Sequence, residues 1–519
     1  MKKTLALILA LVLFASLLVA CGSGGEESKE ESSQVSAVSE DESEVEESSE
    51  EVSVYVPDIY SGNDYEGETF TVWTTYSTAT NTSSIIPNEV GTYEENISEG
   101  CNIAIKQRNN MIFDTLGVTI DEIYYQSPTR YGTDTLSKIR NYISASDPSI
   151  SAFACCLYDC GTLALEGSLY DLNSFEYFEP KNPWWQQYFN ESVTLGGKLY
   201  FTIGDIDYNS YSRIPCVVYN DTLIKKLNLE SPVKLAREGK WTIDKVIEYS
   251  KTFCEDTNDP EGVDLFDRFG WGGNHDDFYS MTYAAGIRIL QNDKNGYPEL
   301  SLYNEDTINY LNKYMEFAHE DTYVCVNDYF NISSNPGGLL YDAFQEGRCL
   351  MFGGSLRACT LLEMEDIFGI APMPKADEHQ EYYYSLLNTW TANAYGIGTN
   401  LDQAHAEFAA AILDVMGYYS WRGNSGSFIQ NYYDMALKGQ KLQTEEAEEM
   451  LDLIFSVRGC EPGSIFQIGK YSVFTTVNEL YVGLYTGRFD GFTSAYDRFS
   501  NGFENDVQHL VNKIKSLEE

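Results

Sequence analysis

The sequence predicts an α/β protein built on mainly parallel sheets, and three observations carry that expectation. Short apolar strands alternate with amphipathic helices along the chain. The run Ile150–Tyr158 is apolar at almost every position, as a strand buried on both faces must be. The stretch from Val56 to Glu519 is rich in Tyr, Phe and Trp, and its 464 residues are too many for one hydrophobic core, so two globular units are expected.

Each element follows from local pattern. Thr69–Tyr76 reads as a first strand running into a polar loop. Residues 98–116 read as an amphipathic helix with Ile103, Met111, Ile112 and Leu116 on its apolar face, stopped by Gly117. Residues 118–124 read as a second strand, 136–145 as a second helix and 150–158 as the buried third strand. Strand–helix–strand order of this kind gives right-handed parallel crossovers.

The first 55 residues are different material. Lys2 and Lys3 introduce an apolar run from Leu5 to Val19, the length of a secretory signal and short for a membrane span. It ends in Leu18-Val19-Ala20-Cys21. Residues 22–55 hold twelve acidic residues and one lysine, with no aromatic before Tyr55. That composition buries too little apolar surface to offset its ordering entropy, so a disordered acidic tether is expected. The chain carries a net −45, and the globular stretch alone about −36. Such acidity excludes nucleic acid as a partner and charge-driven docking on anionic lipid.

Ten cysteines follow Cys21, most of them in apolar runs such as Ala154-Cys155-Cys156-Leu157, and free buried thiols are expected. Cys156 and Cys160 are four apart with no histidine nearby, which argues against zinc. No cofactor is expected. The acidic run Asp256–Asp264 has the start of a calcium loop, but Pro260 takes a ligand position and Asp267 stands where a bidentate Glu belongs, so a weak Ca²⁺ site near Asp256 is the most it allows.

Leu18–Cys21 resembles the lipobox of bacterial lipoproteins. The resemblance implies cleavage after residue 20 and lipidation of Cys21, with the protein anchored at the extracellular face of the cell membrane. Further along, Gly161–Leu172, Leu195–Gly204, Cys216–Asp221, Gly239–Asp244, Tyr341–Phe352, Phe368–Lys375 and Tyr395–Gly398 are similar, in order, to elements of the extracellular solute-binding proteins of ABC importers. The likeness covers nearly all of residues 69–500 and is strongest to the carbohydrate-importing branch that includes maltose-binding protein. It implies the type II periplasmic-binding-protein fold, two α/β lobes joined by a hinge, with lobe 1 from residues 56–204 plus about 325–390 and lobe 2 from 205–324 plus about 391–519. A monomer of this kind closes on solute by hinge rotation and delivers it to a permease. It breaks no bond, and the chain has no Gly-rich phosphate loop.

Sugar sites combine aromatic platforms with polar side chains that bind hydroxyls. On the family's pattern, Trp73 and Tyr76 stand at the lip of the first lobe. Tyr158 and Asp159 end the buried strand at a carboxyl edge. Asp205 and Asp207 lie on the crossover, and Asn274, His275 and Asp277 in a second-lobe loop. Trp390 precedes the second crossing. Arg357 stands where the family often has an aromatic, a departure that counts against an oligosaccharide. Trp184 and Trp185 read as packing. The rival from another class is a surface glycoside hydrolase, which needs two carboxylates flanking one bond. The same fold working as a sensor is a third reading.

Overall fold

The computed structural model describes residues 65–76, 83–87, 99–257, 262–421, 423–424, 426–433, 445–466 and 473–518. Two units divide the chain, Met1–Tyr55 and Val56–Glu519, and every described residue lies in the second. Cys21, the acidic tether and residues 258–261 of the acidic run lie outside the described residues.

The first sheet takes β1 (Thr69–Tyr76), β2 (Thr119–Gln126) and β3 (Ala152–Cys156), with β1 parallel to both of the others. The second is β4 (Pro215–Asn220), β5 (Phe269–Gly273), β6 (Tyr323–Cys325), β7 (Cys349–Ser355) and β8 (Phe368–Ala371), in the order β8-β4-β7-β5-β6. A late strand, β9 (Asn393–Gly396), returns to the first sheet and pairs antiparallel with β3. The buried third strand is shorter than its apolar run. It ends at Cys156, and a helix, α1 (Leu157–Leu165), starts at once, so Tyr158 and Asp159 stand on a first helical turn.

Sheet pairing corrects the division into lobes. Residues 349–355 and 368–371, expected in the first lobe, pair with β4 and β5 in the second sheet. Residues 393–396, expected in the second lobe, join the first, and the helix α2 (Gln403–Ser420) that follows packs against the first-lobe helix Glu99–Leu116. An apolar strand looks the same whichever sheet receives it, so only the register decides. The chain crosses between sheets at residues 205–214 and again at 372–392.

Helix faces are set by docking rather than by hydrophobicity alone. Residues 99–116 form a helix that buries Cys101, Ala104, Ile105, Ile112 and Leu116, yet Ile103 and Met111 are exposed. Arg108 takes a buried position instead, donating to the Ile85 carbonyl at 2.6 Å and to Ser420 Oγ at 3.3 Å. Trp184 and Trp185 are packed in the core, and their indole N–H groups both donate to Asp414 of α2, at 3.0 and 2.8 Å. Thr242 stands at the N-cap of Ile243–Phe253 with no side-chain capping bond. The ten described cysteines are free thiols, nine of them buried. Among the described residues no helix is long and apolar enough to cross a membrane.

Candidate functional site

The two sheets turn the same kind of edge toward each other. In the second sheet, parallel β5, β6 and β7 end at Gly273, Cys325 and Ser355, and antiparallel β4 begins at Pro215 opposite Ser355. In the first, β3 ends at Cys156 opposite Asn393, where antiparallel β9 begins. Carboxyl ends of parallel strands are where α/β proteins place ligands, because the connections there leave a crevice. Between these edges lies a cavity of about 850 Å³, lined by Tyr158 from the first lobe, by residues 388–391 of the second crossing, and by Arg213, Asn274, Asp276, Asp277, Asn335, Tyr341 and Arg357 from the second lobe.

Of the eleven residues expected to touch solute, five line this cavity: Tyr158, Asn274, Asp277, Arg357 and Trp390. Trp390 is half-buried and held from behind by the Arg130 guanidinium, whose carbon lies 5.7 Å from the indole centroid. Asn388 accepts from the backbone N–H groups of Trp390 and Thr391 at 3.0 and 3.1 Å, which fixes the segment that presents the ring. Asn274 caps the helix α3 (His275–Ala284): its side chain accepts from Asp276 N–H at 2.8 Å, while its own N–H donates to Asp277 at 2.9 Å. Asp277 is buried, and that burial pushes its carboxyl well above the usual range. Its seat depends on Gly353, where a Cβ would lie 2.7 Å from the carboxylate oxygen.

The other six do not line it. Trp73 is in the core, stacked on Tyr125 at 5.3 Å. Tyr76 stacks on Tyr124 at 4.4 Å and donates to Glu122 at 2.9 Å. Asp159 accepts from Gly132 N–H at 2.9 Å, and burial raises its carboxyl to about 7. Asp205 accepts from the Tyr211 hydroxyl. Asp207 accepts from Ser210 and Asn393 N–H groups at 2.8 and 3.4 Å, tying the first crossing to the second. His275 stacks on Phe278 at 5.7 Å, and burial lowers its imidazole. Short carboxylates at element ends satisfy backbone donors before they reach a solute.

Arg213, Asp276, Asn335, Tyr341 and Asn388 were not singled out from the sequence. A signal existed for Asp276, which sits inside the loop already noted, and for Arg213, two residues ahead of a strand in the crossover. Among the described lining residues the carboxylates are Asp276 and Asp277. These are neighbours on one helical turn, and Asp277 is committed to its cap. Two such groups cannot flank a glycosidic bond from opposite sides.

No protein-family model matches the sequence, and no curated protein matches it. Solved structures do. Maltose-binding periplasmic protein MalE from Listeria monocytogenes, in complex with maltose, is 12% identical at a TM-score of 0.53, covering 85% of this chain and 98% of that one. UgpB from Mycobacterium tuberculosis, in complex with glycerophosphocholine, is 14% identical at 0.52, over 85% of this chain and 98% of the other. An ABC substrate-binding protein from Listeria monocytogenes, in complex with cycloalternan, is 14% identical at 0.51, over 86% and 99%. This is the periplasmic-binding-protein fold. The crevice between its two lobes is the cavity lined by Tyr158, Arg357 and Trp390.

Proposed function

We propose that this chain is the solute-binding receptor of an ABC importer, anchored by a lipid on Cys21 at the extracellular face of the membrane. It captures a hydroxyl-rich polar solute of the carbohydrate class and hands it to a permease. It is a receptor and not an enzyme. One observation carries this reading: strand edges of two sheets converge on a single polar cavity that pairs the aromatic faces of Tyr158 and Trp390 with amide, carboxylate and guanidinium groups. Aromatic faces suit the C–H faces of a sugar ring, and the polar groups suit its hydroxyls. The volume, about 850 Å³, falls within the range of pockets that enclose small ligands. The solutes of MalE and of the cycloalternan-binding protein support the class, since both are saccharides rich in hydroxyl groups, while that of UgpB, glycerophosphocholine, is a polar phosphodiester.

The test is a thermal-shift panel of mono- and oligosaccharides, sugar acids, sugar phosphates and peptides, read alongside small-angle scattering. A solute at 100 times its Kd is expected to add about 2.7 kcal/mol of stability and to shrink the radius of gyration by lobe closure. Peptides that stabilise the protein while no sugar derivative does would refute the class. Cys21→Ser is expected to leave solute affinity unchanged and to release the protein from the membrane fraction, because two or three acyl chains hold a protein durably and a bare tether does not. A loss of affinity in that variant would show that anchor and cleft are not separate devices.

A further inference from the structure

The second-lobe wall of the cavity brings two like charges together. Pro215 of β4 lies opposite Ser355 of β7, so Arg213, two residues before, and Arg357, two residues after, are at the same edge of the sheet. Both line the cavity and both are half-buried. Tyr341 lines it with them, its ring packed on Phe352 at 5.6 Å. None of the ion pairs among the described residues involves Arg357. Its Nε is buried with no acceptor among the described residues.

That arrangement is unfavourable in the empty protein. Burial, with Arg357 as the next contribution, brings the Arg213 guanidinium down to about 10. Two guanidiniums in a partly desolvated cleft repel, and a buried N–H without an acceptor costs its full desolvation. A neutral sugar would leave the repulsion in place, whereas an oxyanion would relieve it and satisfy the donor together. The acids of the same cavity do not serve: Asp277 is spent on the Asn274 cap, and Asp276, on the same helical turn, forms no ion pair among the described residues. The body's overall negative charge is screened beyond about 8 Å at physiological ionic strength, so the local pair governs binding once solute is in the cleft.

We infer that the solute is acidic: a hydroxylated molecule carrying a carboxylate, phosphate or sulfate, whose oxygens sit between the guanidiniums of Arg213 and Arg357 with the Tyr341 hydroxyl beside them. This rests on the receptor reading and narrows it. Guanidinium forks bind such oxygens bidentately, which a lysine cannot reproduce. The hydroxylated remainder then faces Asn274, Asn388 and the rings of Tyr158 and Trp390.

Calorimetric titration of the full chain decides it. The probes are digalacturonate, glucose 6-phosphate and glucose 6-sulfate, with α-1,4-galactobiose and glucose as neutral counterparts and inorganic sulfate as the bare anion. At least one acidic sugar is expected to bind about 30-fold or more tighter than its neutral counterpart, and the arm that responds identifies the anion. Arg357→Gln is expected to weaken that binding by about 10- to 100-fold, as loss of a charge-assisted hydrogen bond does, with Arg357→Lys falling between. Arg213→Gln is the second variant and is expected to lose affinity similarly. The empty Arg357→Gln protein should melt no lower than wild type, since the substitution removes repulsion and an unsatisfied donor. If a neutral saccharide binds and closes the lobes, and Arg357→Gln leaves its affinity unchanged, the inference is wrong and the receptor reading stands. If neither acidic nor neutral probes bind or alter the scattering, both are wrong.

Discussion

Arg130→Met is expected to cost about 3–5 kcal/mol of folding stability and to lower the melting temperature by several degrees, the largest effect of any single substitution near the cleft. Arg130 is fully buried where three parts of the chain meet. Its guanidinium donates to the Thr75 carbonyl at the end of β1 (2.9 Å), to the Trp390 carbonyl, to the Thr391 carbonyl (2.5 Å) and to Asn393 Oδ1 (2.9 Å). Burial lowers the guanidinium, and the charge of Asp207 is among those opposing that effect. One side chain therefore pins the first sheet to the second crossing, and it faces the carboxylate that pins the first crossing to Asn393. Methionine fills similar space but removes the donor from four acceptors, three of them buried, and leaves Asp207 without its counter-charge. The backbone adds to the demand: Arg130 has φ 67°, a left-handed conformation that a non-glycine residue holds only when its surroundings fix it. Arg130→Lys, which keeps charge but loses the fork, should fall between wild type and methionine. Chemical denaturation is the measurement, and a midpoint for Arg130→Met within error of wild type would refute the role.

Arg130 also marks where sequence reasoning stopped. Patterns with local causes were legible: the alternation in Thr69–Tyr76, the helix from 99 to 116, and the continuous apolar run that became β3. What was not legible depends on contacts between distant segments. Nothing in Cys349–Ser355 says that it inserts between β4 and β5, so that stretch and Asn393–Gly396 were assigned to each other's lobes. The same limit shaped the site. Trp73 and Tyr76 have the composition of a sugar platform, and only the docking of Tyr125 and Tyr124 onto them makes them core. Asp205 and Asp207 lie on the crossover as expected, but they face inward to Tyr211, Ser210 and Asn393. Arg357 was visible because it broke a family pattern. Its neighbour Arg213 was not, because their proximity exists only through the pairing of Pro215 with Ser355.

Stability is expected to rise as pH falls from about 8 to about 5, by on the order of 5 kcal/mol, and to decline again below about pH 4. The cause is a set of buried carboxyls whose proton affinity is higher in the folded chain than in the unfolded one. Burial raises Asp159 to about 7, Asp207 to about 6 and Asp414 to about 6, each from an ordinary value of 3.8. Between pH 4 and 7 the folded state therefore binds more protons than the unfolded state, so the derivative of unfolding free energy with pH is negative there and acidification stabilises. His275 works the other way, since burial lowers its imidazole and the unfolded chain takes up that proton first. One half-buried histidine is outweighed by three buried carboxyls. Below about pH 4 the sign reverses. Asp147, Asp267, Asp293 and Asp402 are held below the usual range by hydrogen bonds, and their protonation breaks contacts that only the folded state has. Asp207→Asn and Asp414→Asn should flatten the rise without moving the acid limb. Differential scanning calorimetry at pH 5, 6, 7 and 8 measures the slope. A melting temperature that falls steadily from pH 8 to pH 5 would mean that these carboxyls stay ionised in the folded protein, and that Asp207 and Arg130 form a fully charged pair at the hinge.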